Sequence, residues 1–209
     1  MKHLIIIGAG GMGRTLFDIA RESMGYGEIF DIKGYLDDNT HALDNYDNYP
    51  PVIGTIAGYD IQKDDVFTFS IGGDSRRKCI ESLLERNAEF INLIHKTARI
   101  GTNVAIGVGN IIAAYTTLGA DSCIGDYNLI QSYSVIGHDA RIGSFNRIDT
   151  QVMCVGGIRI GDQVTIHTSA VINHNVTLGN ESKVGACSFV LRNVKEGVTV
   201  FGIPAKKLI

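Results

Sequence analysis

The second half of the sequence carries one apolar residue at every sixth position, without interruption, from Ile94 to Val190. Neither the 3.6-residue period of a helix nor the two-residue alternation of a half-buried strand produces this spacing. A short repeat of fixed length is typical of a solenoid, and a six-residue repeat predicts a parallel β-helix. The repeat positions are Ile94, Ile100, Ile106, Ile112, Leu118, Ile124, Ile130, Ile136, Ile142, Ile148, Cys154, Ile160, Ile166, Ile172, Leu178, Val184 and Val190.

The residues around each repeat position support this prediction. Glycine often follows the apolar residue, where we expect the chain to turn tightly, and small residues such as Ala98, Ser122 and Ser134 often stand two positions before it. Three such sides form a triangular coil of 18 residues, and coils stack at about the interstrand spacing of ~4.8 Å. The repeat then gives between five and six coils.

The first part of the chain has a different pattern. Apolar strands alternate with amphipathic stretches, and this order predicts a small parallel α/β domain. Residues 39–65 are polar and rich in turn formers, and they predict no clear element. We therefore predict a Rossmann-like α/β domain over residues 1–93, followed by a β-helix of hexapeptide repeats over 94–209. The predicted elements are the strands HLIII (3–7), IKGYL (32–36) and VFTFSIGG (66–73), and the helices RTLFDIARES (14–23) and RRKCIESLLERN (76–87).

Composition and charge exclude several classes of protein. The chain has 209 residues and a formal net charge of −3. It therefore lacks the excess of positive charge that is typical of proteins that bind nucleic acid or an anionic membrane. The apolar run near the N-terminus is too short for a signal peptide or a membrane span, so we expect a cytoplasmic protein. The four cysteines show no CxxC pairing and are expected to be reduced and mostly structural.

A glycine loop, Gly8-Ala9-Gly10-Gly11-Met12-Gly13, joins the first strand to the first helix. This G-x-G-x-x-G spacing lets backbone N–H groups approach phosphates at a helix N-terminus. We expect a nucleotide-phosphate site, with Asp37 or Asp38 near the nucleoside and with Arg76 and Arg77 adding positive charge. Full NAD binding is not expected, because fewer than 100 residues precede the coils. A tight turn without ligand is the alternative interpretation.

Stacking at 18 residues places His138 between Ala120 below and Gly156 above, with His174 two coils up. An imidazole among isoleucines would be costly without a partner, so we expect His138 to point outward. Gly156 would then leave space beside the ring and expose its N–H. A general base beside an N–H donor is what acyl transfer requires, and Asp139 would fix the tautomer of His138. The alternatives are an ordinary surface histidine and an ordinary turn aspartate.

A zinc site of the kind found in γ-class carbonic anhydrases is a further alternative, because His138 and His174 share one column. Two coils would separate them by roughly 9–10 Å, too far for one subunit to chelate a metal. The remaining ligand would be expected where Gly179 stands, so we expect no metal. His167 occupies a place usually taken by glycine, and a surface corner is the simplest interpretation.

The motifs together resemble the NeuD/PglD family of sugar acyltransferases over nearly the full length. The segments that carry the resemblance are IIIGAGG, FINLIHKTARIG, SVIGHDARIG, CVGGIRIG and VFGIPAKKLI. The resemblance implies a left-handed β-helix and a homotrimer that transfers acetyl from acetyl-CoA to a nucleotide-linked amino sugar or to sialic acid. It places acetyl-CoA in the groove between adjacent β-helices and the sugar nucleotide on the N-terminal domain.

The resemblance also implies roles for individual residues. His138 would be the base, Asp139 its orienting carboxylate, and Gly156 the donor to the thioester carbonyl. The CoA site would include Ala186 and Lys206, and the nucleotide would be held by Gly8, Gly10, Gly11 and Asp37. Three positions differ from the family pattern. Many members have a histidine where Met12 stands. Some have an asparagine where Gln131 stands and a second histidine where Asn146 stands. Met12 and Gln131 are therefore assigned to the acceptor site, and all three departures point to a different acceptor.

The function expected from the sequence is thus an acetyl-CoA-dependent N-acetyltransferase acting on a UDP-linked amino sugar in surface glycan synthesis. An O-acetyltransferase of a sugar or sialic acid is the alternative within the same enzyme class. A catalytically silent trimer that binds nucleotide sugars is the alternative outside it.

Overall fold

The computed structural model describes residues 1–72 and 75–208 of the chain. The chain divides into two compact units, Met1–Leu93 and Ile94–Ile209. The last residue of the predicted strand VFTFSIGG, Gly73, lies outside the described residues, as do Asp74 and Ile209. Neither helix in the described part of the chain is long and apolar enough to cross a membrane.

The first unit is a five-stranded parallel sheet in the order β3-β2-β1-β4-β5. The central strand carries the apolar run Leu4–Ile7, which is fully buried, as expected for a strand that has neighbours on both sides. The α/β class predicted from the sequence is confirmed. The elements are β1 (Lys2–Ile7), α1 (Gly11–Arg21), β2 (Phe30–Leu36), β3 (Val52–Gly54), β4 (Asp65–Phe69), α2 (Ser75–Glu85) and β5 (Glu89–Phe90).

Two features of this unit differ from the sequence prediction. Helix α1 begins at Gly11, inside the glycine loop, and not at Arg14, because the loop itself supplies the first helical turn. The segment that predicted no element contains the edge strand β3. Only three residues pair there, and a two-residue alternation cannot be recognised over so short a length.

The second unit is a left-handed parallel β-helix, as the resemblance implied. Its strands, which have two residues each except for the three-residue β23, form three sheets, and strands 18 residues apart pair in register, as Val135 does with Met153. The sheets contain, in order, β22-β19-β16-β13-β10-β7, β20-β17-β14-β11-β8, and β24-β23-β21-β18-β15-β12-β9-β6. The strands are β6 (Leu93–Ile94), β7 (Arg99–Ile100), β8 (Ala105–Ile106), β9 (Ile111–Ile112), β10 (Thr117–Leu118), β11 (Cys123–Ile124), β12 (Leu129–Ile130), β13 (Val135–Ile136), β14 (Arg141–Ile142), β15 (Arg147–Ile148), β16 (Met153–Cys154), β17 (Arg159–Ile160), β18 (Thr165–Ile166), β19 (Val171–Ile172), β20 (Thr177–Leu178), β21 (Lys183–Val184), β22 (Phe189–Val190), β23 (Thr199–Phe201) and β24 (Lys206–Lys207).

The apolar repeat fills the interior of the coils. From Ile112 to Val190 every repeat residue is buried, whereas Ile100 is 38% exposed. Ile100 lies on β7, the last strand at one edge of its sheet, so it has a stacked neighbour on one side only. Burial of this column is the main favourable term for the unit, at roughly 25 cal/mol per Å² of apolar surface removed from water.

The corners of the coils turn at a different residue from the one that the sequence indicated. The left-handed φ recurs two positions after each glycine of the repeat, for example at Asp121 and Asp139, and not at the glycine itself. The glycine is required for space. A Cβ on Gly137 would lie 2.6 Å from the backbone nitrogen of Gly156 in the next coil. Close stacking of backbones therefore selects these glycines.

An asparagine ladder runs through the interior of the coils. Asn110, Asn128 and Asn146 are fully buried, and each side-chain oxygen accepts a hydrogen bond from a backbone N–H one coil higher, 2.7–2.9 Å away. The Asn146 side chain, whose difference from the family pattern pointed to a different acceptor, lies inside the coils and accepts a hydrogen bond from the backbone N–H of Val164.

Candidate active site

The histidine corner, which we define as Ala120, His138, Gly156 and His174, is the corner of the β-helix where the predicted base lies. Each residue stands one coil above the previous one, because the strands that flank them pair with an 18-residue offset. His138 lies between β13 and β14, and its side chain is 64% exposed. The ring therefore points outward, as the cost of burying an unpartnered imidazole predicts.

Asp139 orients the His138 ring. The Nδ1 atom of His138 lies 2.7 Å from Oδ2 of Asp139. Because an ionised carboxylate only accepts hydrogen bonds, Nδ1 carries the proton and Nε2 presents a lone pair. Both side chains are more than half exposed, so the pair adds little stability. Its effect is to fix the tautomer and direction of the imidazole.

Gly156 lies against the free nitrogen of this ring. A Cβ atom on Gly156 would be 2.5 Å from Nε2 of His138 and 2.7 Å from its Cε1 atom, so no residue with a side chain fits there while the ring keeps this position. Within residues 1–72 and 75–208, no acceptor is found for the Gly156 N–H. A lone pair on a base and an unused N–H donor are thus adjacent on one corner.

His174 continues the column on the other side of Gly156. Its Nδ1 atom lies 3.2 Å from the carbonyl oxygen of Gly156. The backbone N–H of Asn175 donates to the same oxygen, also over 3.2 Å. Gly156 is therefore flanked by an imidazole in the coil below and another in the coil above.

A second polar group, the Asp149 cluster, lies on a different corner and includes Gln131. The Asp149 side chain is only 7% exposed. Its Oδ1 accepts hydrogen bonds from Nε of Arg147 at 2.6 Å and Nε2 of Gln131 at 2.8 Å. Its Oδ2 lies 3.1 Å from Nδ1 of His167. The Thr150 hydroxyl completes the cluster by donating to Gln131.

Asp149 and Arg147 are not among the residues predicted from the sequence, which indicates only a surface corner for His167. A signal was present, because Asp149 directly follows the repeat residue Ile148, where glycine usually stands. Gln131 and His167 occupy the equivalent places one coil below and above. Polar residues in three successive coils at one position indicate a side-chain network.

The glycine loop forms a tight connection between β1 and α1. Gly8 has a φ of +93°, and a Cβ on Gly13 would lie 2.1 Å from the Gly8 carbonyl oxygen, so both positions require glycine. Gly10 and Gly11 are exposed, and the first turn of α1 has no side-chain cap and no acidic residue. This N-terminus can accept an anionic group without displacing one of its own side chains.

The predicted nucleoside residue Asp37 contacts this loop. One oxygen accepts a hydrogen bond from Ala9 N at 2.8 Å, and the other accepts one from Asn39 N at 2.9 Å. Asp37 therefore shapes the loop, and any nucleoside contact would use its remaining lone pairs. Asp38 similarly lies 3.3 Å from the N–H of Ile56.

The other residues proposed for the nucleotide have mixed surroundings. Met12 is half-buried in the first turn of α1. Arg76 is buried over the ring of Phe69, and Arg77 pairs with Glu81 at 2.7 Å. The expectation that these two arginines add charge to a phosphate site is not supported by their partners. Arg14, which was not predicted, lies over the ring of Tyr46 beside the loop.

Ala186 and Lys206 lie away from the histidine corner. Ala186 is exposed and follows strand β21, on the same corner as the Asp149 cluster, so one chain does not bring it together with His138 and Gly156. Lys206 lies on β24 and lines a cavity of about 600 Å³ with Arg192, Lys195 and Lys207. Its apolar lining includes Val190 and Val200.

The described residues contain no group of side chains that matches the zinc alternative. Within the described residues, no three His, Cys, Asp or Glu side chains lie close enough together to hold a metal ion. His138 and His174 instead contact opposite sides of Gly156.

Two family profiles match the sequence. The PglD N-terminal domain matches residues 3–84, and the bacterial transferase hexapeptide (six repeats) matches residues 157–192. Among curated proteins, no sequence matches the chain.

Solved structures match the chain over its full length. The acetyltransferase domain of PglB from Neisseria gonorrhoeae is 28% identical with a TM-score of 0.90, and all of both chains is covered. WeeI from Acinetobacter baumannii is 26% identical with a TM-score of 0.86, again over all of both chains. GDP-perosamine N-acetyltransferase from Caulobacter crescentus shares the fold at 24% identity and a TM-score of 0.87, over 100% of this chain and 98% of that one. The two profiles and the matches to the PglB domain and WeeI, on a fold that carries the histidine corner, confirm the resemblance of the chain to the PglD/NeuD-type sugar acetyltransferases.

Proposed function

We propose that the protein transfers the acetyl group of acetyl-CoA to the amino group of a nucleotide-linked amino sugar, in the synthesis of a surface glycan. The observation that carries this proposal is the pairing of His138 with Gly156, in which a base nitrogen faces a glycine with an unused N–H. Two similar proteins support the choice of substrates. The PglB domain was crystallised with acetyl coenzyme A, and the Caulobacter enzyme with CoA and GDP-perosamine.

The proposed chemistry uses the two groups of this corner. The sugar amine attacks the thioester carbonyl carbon, and Nε2 of His138 takes a proton from the amine. The Gly156 N–H donates to the carbonyl oxygen as negative charge develops on it. The C–S bond then breaks, the thiolate takes the proton from His138, and N-acetyl sugar and CoA leave. Asp139 stabilises the imidazolium between these steps.

The proposed CoA site extends beyond one chain. Ala186 lies on a different corner from His138, so a channel formed by both needs a second copy, and we propose a homotrimer as the resemblance implies. The basic cavity around Lys206 suits the phosphates and adenine of CoA, because cationic side chains surround an apolar floor. A cytoplasmic location follows from the use of acetyl-CoA.

The glycine loop is the proposed site of the nucleotide diphosphate. The uncapped N-terminus of α1 offers the N–H groups of Gly11 and Met12, and Gly8 and Gly10 allow close approach. We take UDP as the nucleotide, as expected from the sequence. GDP and dTDP sugars are the alternatives to test, because similar structures contain GDP-perosamine or dTDP.

An O-acetyltransferase is the second candidate. Met12 stands in the glycine loop where many members of the family have a histidine, which indicates a different acceptor. A hydroxyl acceptor depends on a base more strongly than a free amine does, and His138 with Asp139 provides one.

The test is an acetyl-transfer assay with acetyl-CoA and a panel of UDP-, GDP- and dTDP-linked amino sugars and sialic acid. CoA thiol release is followed with Ellman's reagent, and the product is identified by mass spectrometry. We expect turnover with one class of nucleotide amino sugar, and loss of turnover in His138→Ala. No thiol release with any acceptor, together with no acetyl-CoA binding by calorimetry, would favour the silent nucleotide-sugar-binding protein.

A further inference from the structure

The corner beside His138 is formed by two successive glycines, Gly156 and Gly157. At every other corner of the described coils between residues 97 and 187, at least one of the two equivalent positions carries a residue with a side chain. Glycine has the largest conformational freedom of any residue, so the peptide planes on either side of Gly156 are the least constrained by their own sequence. Hydrogen bonds from neighbouring residues must therefore fix them.

Two donors hold the carbonyl oxygen of Gly156. One is the Asn175 N–H, and the other is Nδ1 of His174, each at 3.2 Å. Because a carbonyl oxygen only accepts, His174 carries its proton on Nδ1, which leaves Nε2 as the unprotonated nitrogen. The bond from Asn175 belongs to the ordinary stacking of the coils, and the bond from His174 is specific to this side chain.

We propose that His174 is a positioning residue that fixes the Gly156 peptide. This role rests on the proposed function of Gly156 as the donor to the thioester carbonyl. The carbonyl group of Gly156 belongs to the peptide plane that follows its Cα atom, and the N–H belongs to the plane that precedes it. By holding the carbonyl from the coil above, His174 restrains ψ of Gly156 and so the position of the Cα atom beside the His138 ring. The N–H then has only the rotation about φ left, which limits where it can point relative to the His138 lone pair.

The first test needs no substrate. A long-range ¹H–¹⁵N spectrum of the full-length protein, labelled on histidine, reports which ring nitrogen of His174 carries the proton. We expect the Nδ1–H tautomer at neutral pH, and the Gly156 carbonyl ¹³C shift should move in His174→Ala. An Nε2–H tautomer, or an unchanged carbonyl shift, would overturn the proposal whether or not the protein is an acetyltransferase.

The second test uses kinetics and a matched control. We expect His174→Ala to lower kcat by roughly five- to tenfold, the effect of one lost hydrogen bond, with the KM for acetyl-CoA within about twofold. His174→Asn should recover most of kcat, because its Nδ2–H donor is as many bonds from Cα as Nδ1 of histidine. The control is Asn180→Ala, which removes a side-chain bond of 2.9 Å to Asp162 N on another corner.

The outcomes separate a positioning role from a merely structural one. Equal loss of kcat in Asn180→Ala and His174→Ala would show that any corner bond has this effect, and it would overturn the proposal. So would an unchanged kcat in His174→Ala. A wild-type protein without acetyl transfer would remove the proposed function, and the tautomer and carbonyl shift would then decide whether His174 holds Gly156.

Discussion

The Cα atom of Gly156 lies so close to the His138 ring that a methyl group on it would be 2.5 Å from Nε2. The contacted atom is at the end of an exposed side chain, so Gly156→Ala should fold normally and displace the imidazole. We expect kcat to fall by roughly 10²-fold or more, because catalysis requires the base in its productive position. The melting temperature should stay within about 2 °C of wild type. Normal turnover in Gly156→Ala would show that catalysis does not depend on this contact.

The base and its carboxylate should differ in their contributions. We expect His138→Ala to lower kcat by roughly 10²-fold or more with little change in the KM for acetyl-CoA, since it removes general-base catalysis and not binding. Asp139→Asn keeps an acceptor for Nδ1 in its side-chain oxygen, and because both side chains are more than half exposed, the loss of the charge should cost only roughly tenfold. Steady-state kinetics of both variants tests this order, and an Asp139→Asn loss as large as that of His138→Ala would contradict it.

Alanine substitution at two glycines of the nucleotide loop should affect different properties, stability at Gly13 and substrate binding at Gly10. Nothing lies within 4 Å of a Cβ on Gly10, whereas a Cβ on Gly13 would meet the Gly8 carbonyl oxygen at 2.1 Å. Gly13→Ala should therefore destabilise the protein by about 2 kcal/mol or more. Gly10→Ala should unfold like wild type but raise the KM for the nucleotide sugar. Urea unfolding and acceptor kinetics distinguish the two effects, and a stable Gly13→Ala variant would contradict the packing argument.

The Asp149 cluster should matter for stability. Asp149→Ala removes the partner of Arg147, Gln131 and His167 at once, and it leaves the 43% exposed Arg147 side chain without its carboxylate. We expect a loss of about 1–3 kcal/mol, less than for a fully buried pair because Arg147 reaches solvent. Asp44→Ala, which removes the exposed pair with His41, is the control and should change unfolding by less than about 0.5 kcal/mol.

The cysteines provide a test of the repeat register. Cys154 occupies a repeat position, and burial raises the pKa of its thiol to about 12, so it has almost no thiolate at pH 8. Cys123 is exposed. Native protein treated with iodoacetamide should carry the label on Cys123 and not on Cys154, and unfolded protein should carry it on both. Labelling of native Cys154 would contradict the register.

The six-residue repeat made the β-helix, its register and the outward direction of His138 predictable, because each follows from one periodic constraint. The same arithmetic placed Gly156 beside the imidazole. The repeat does not determine which partner atoms a side chain contacts. The bonds of Asp37 to Ala9 and of Asp149 to Arg147 depend on rotamers and loop paths, and no spacing rule contains these.

The sequence predicts the turn at the wrong residue for a related reason. Glycine after the apolar residue indicates unusual backbone geometry at that position, because glycine often has that role. The structure places the left-handed φ two residues later, on residues with side chains such as Asp139. Contact with the next coil, which a single coil's sequence does not show, explains the glycine at Gly137.

The asparagine ladder restricts how this protein can gain or lose length. Asn110, Asn128 and Asn146 meet only when the chain between them completes one full circuit of 18 residues. Deleting six residues would move everything downstream by one side of the triangle and carry Gly156 away from His138. Evolution in this half of the chain is therefore confined to whole-circuit insertions and deletions, or to loops that bulge from a corner without altering the circuit.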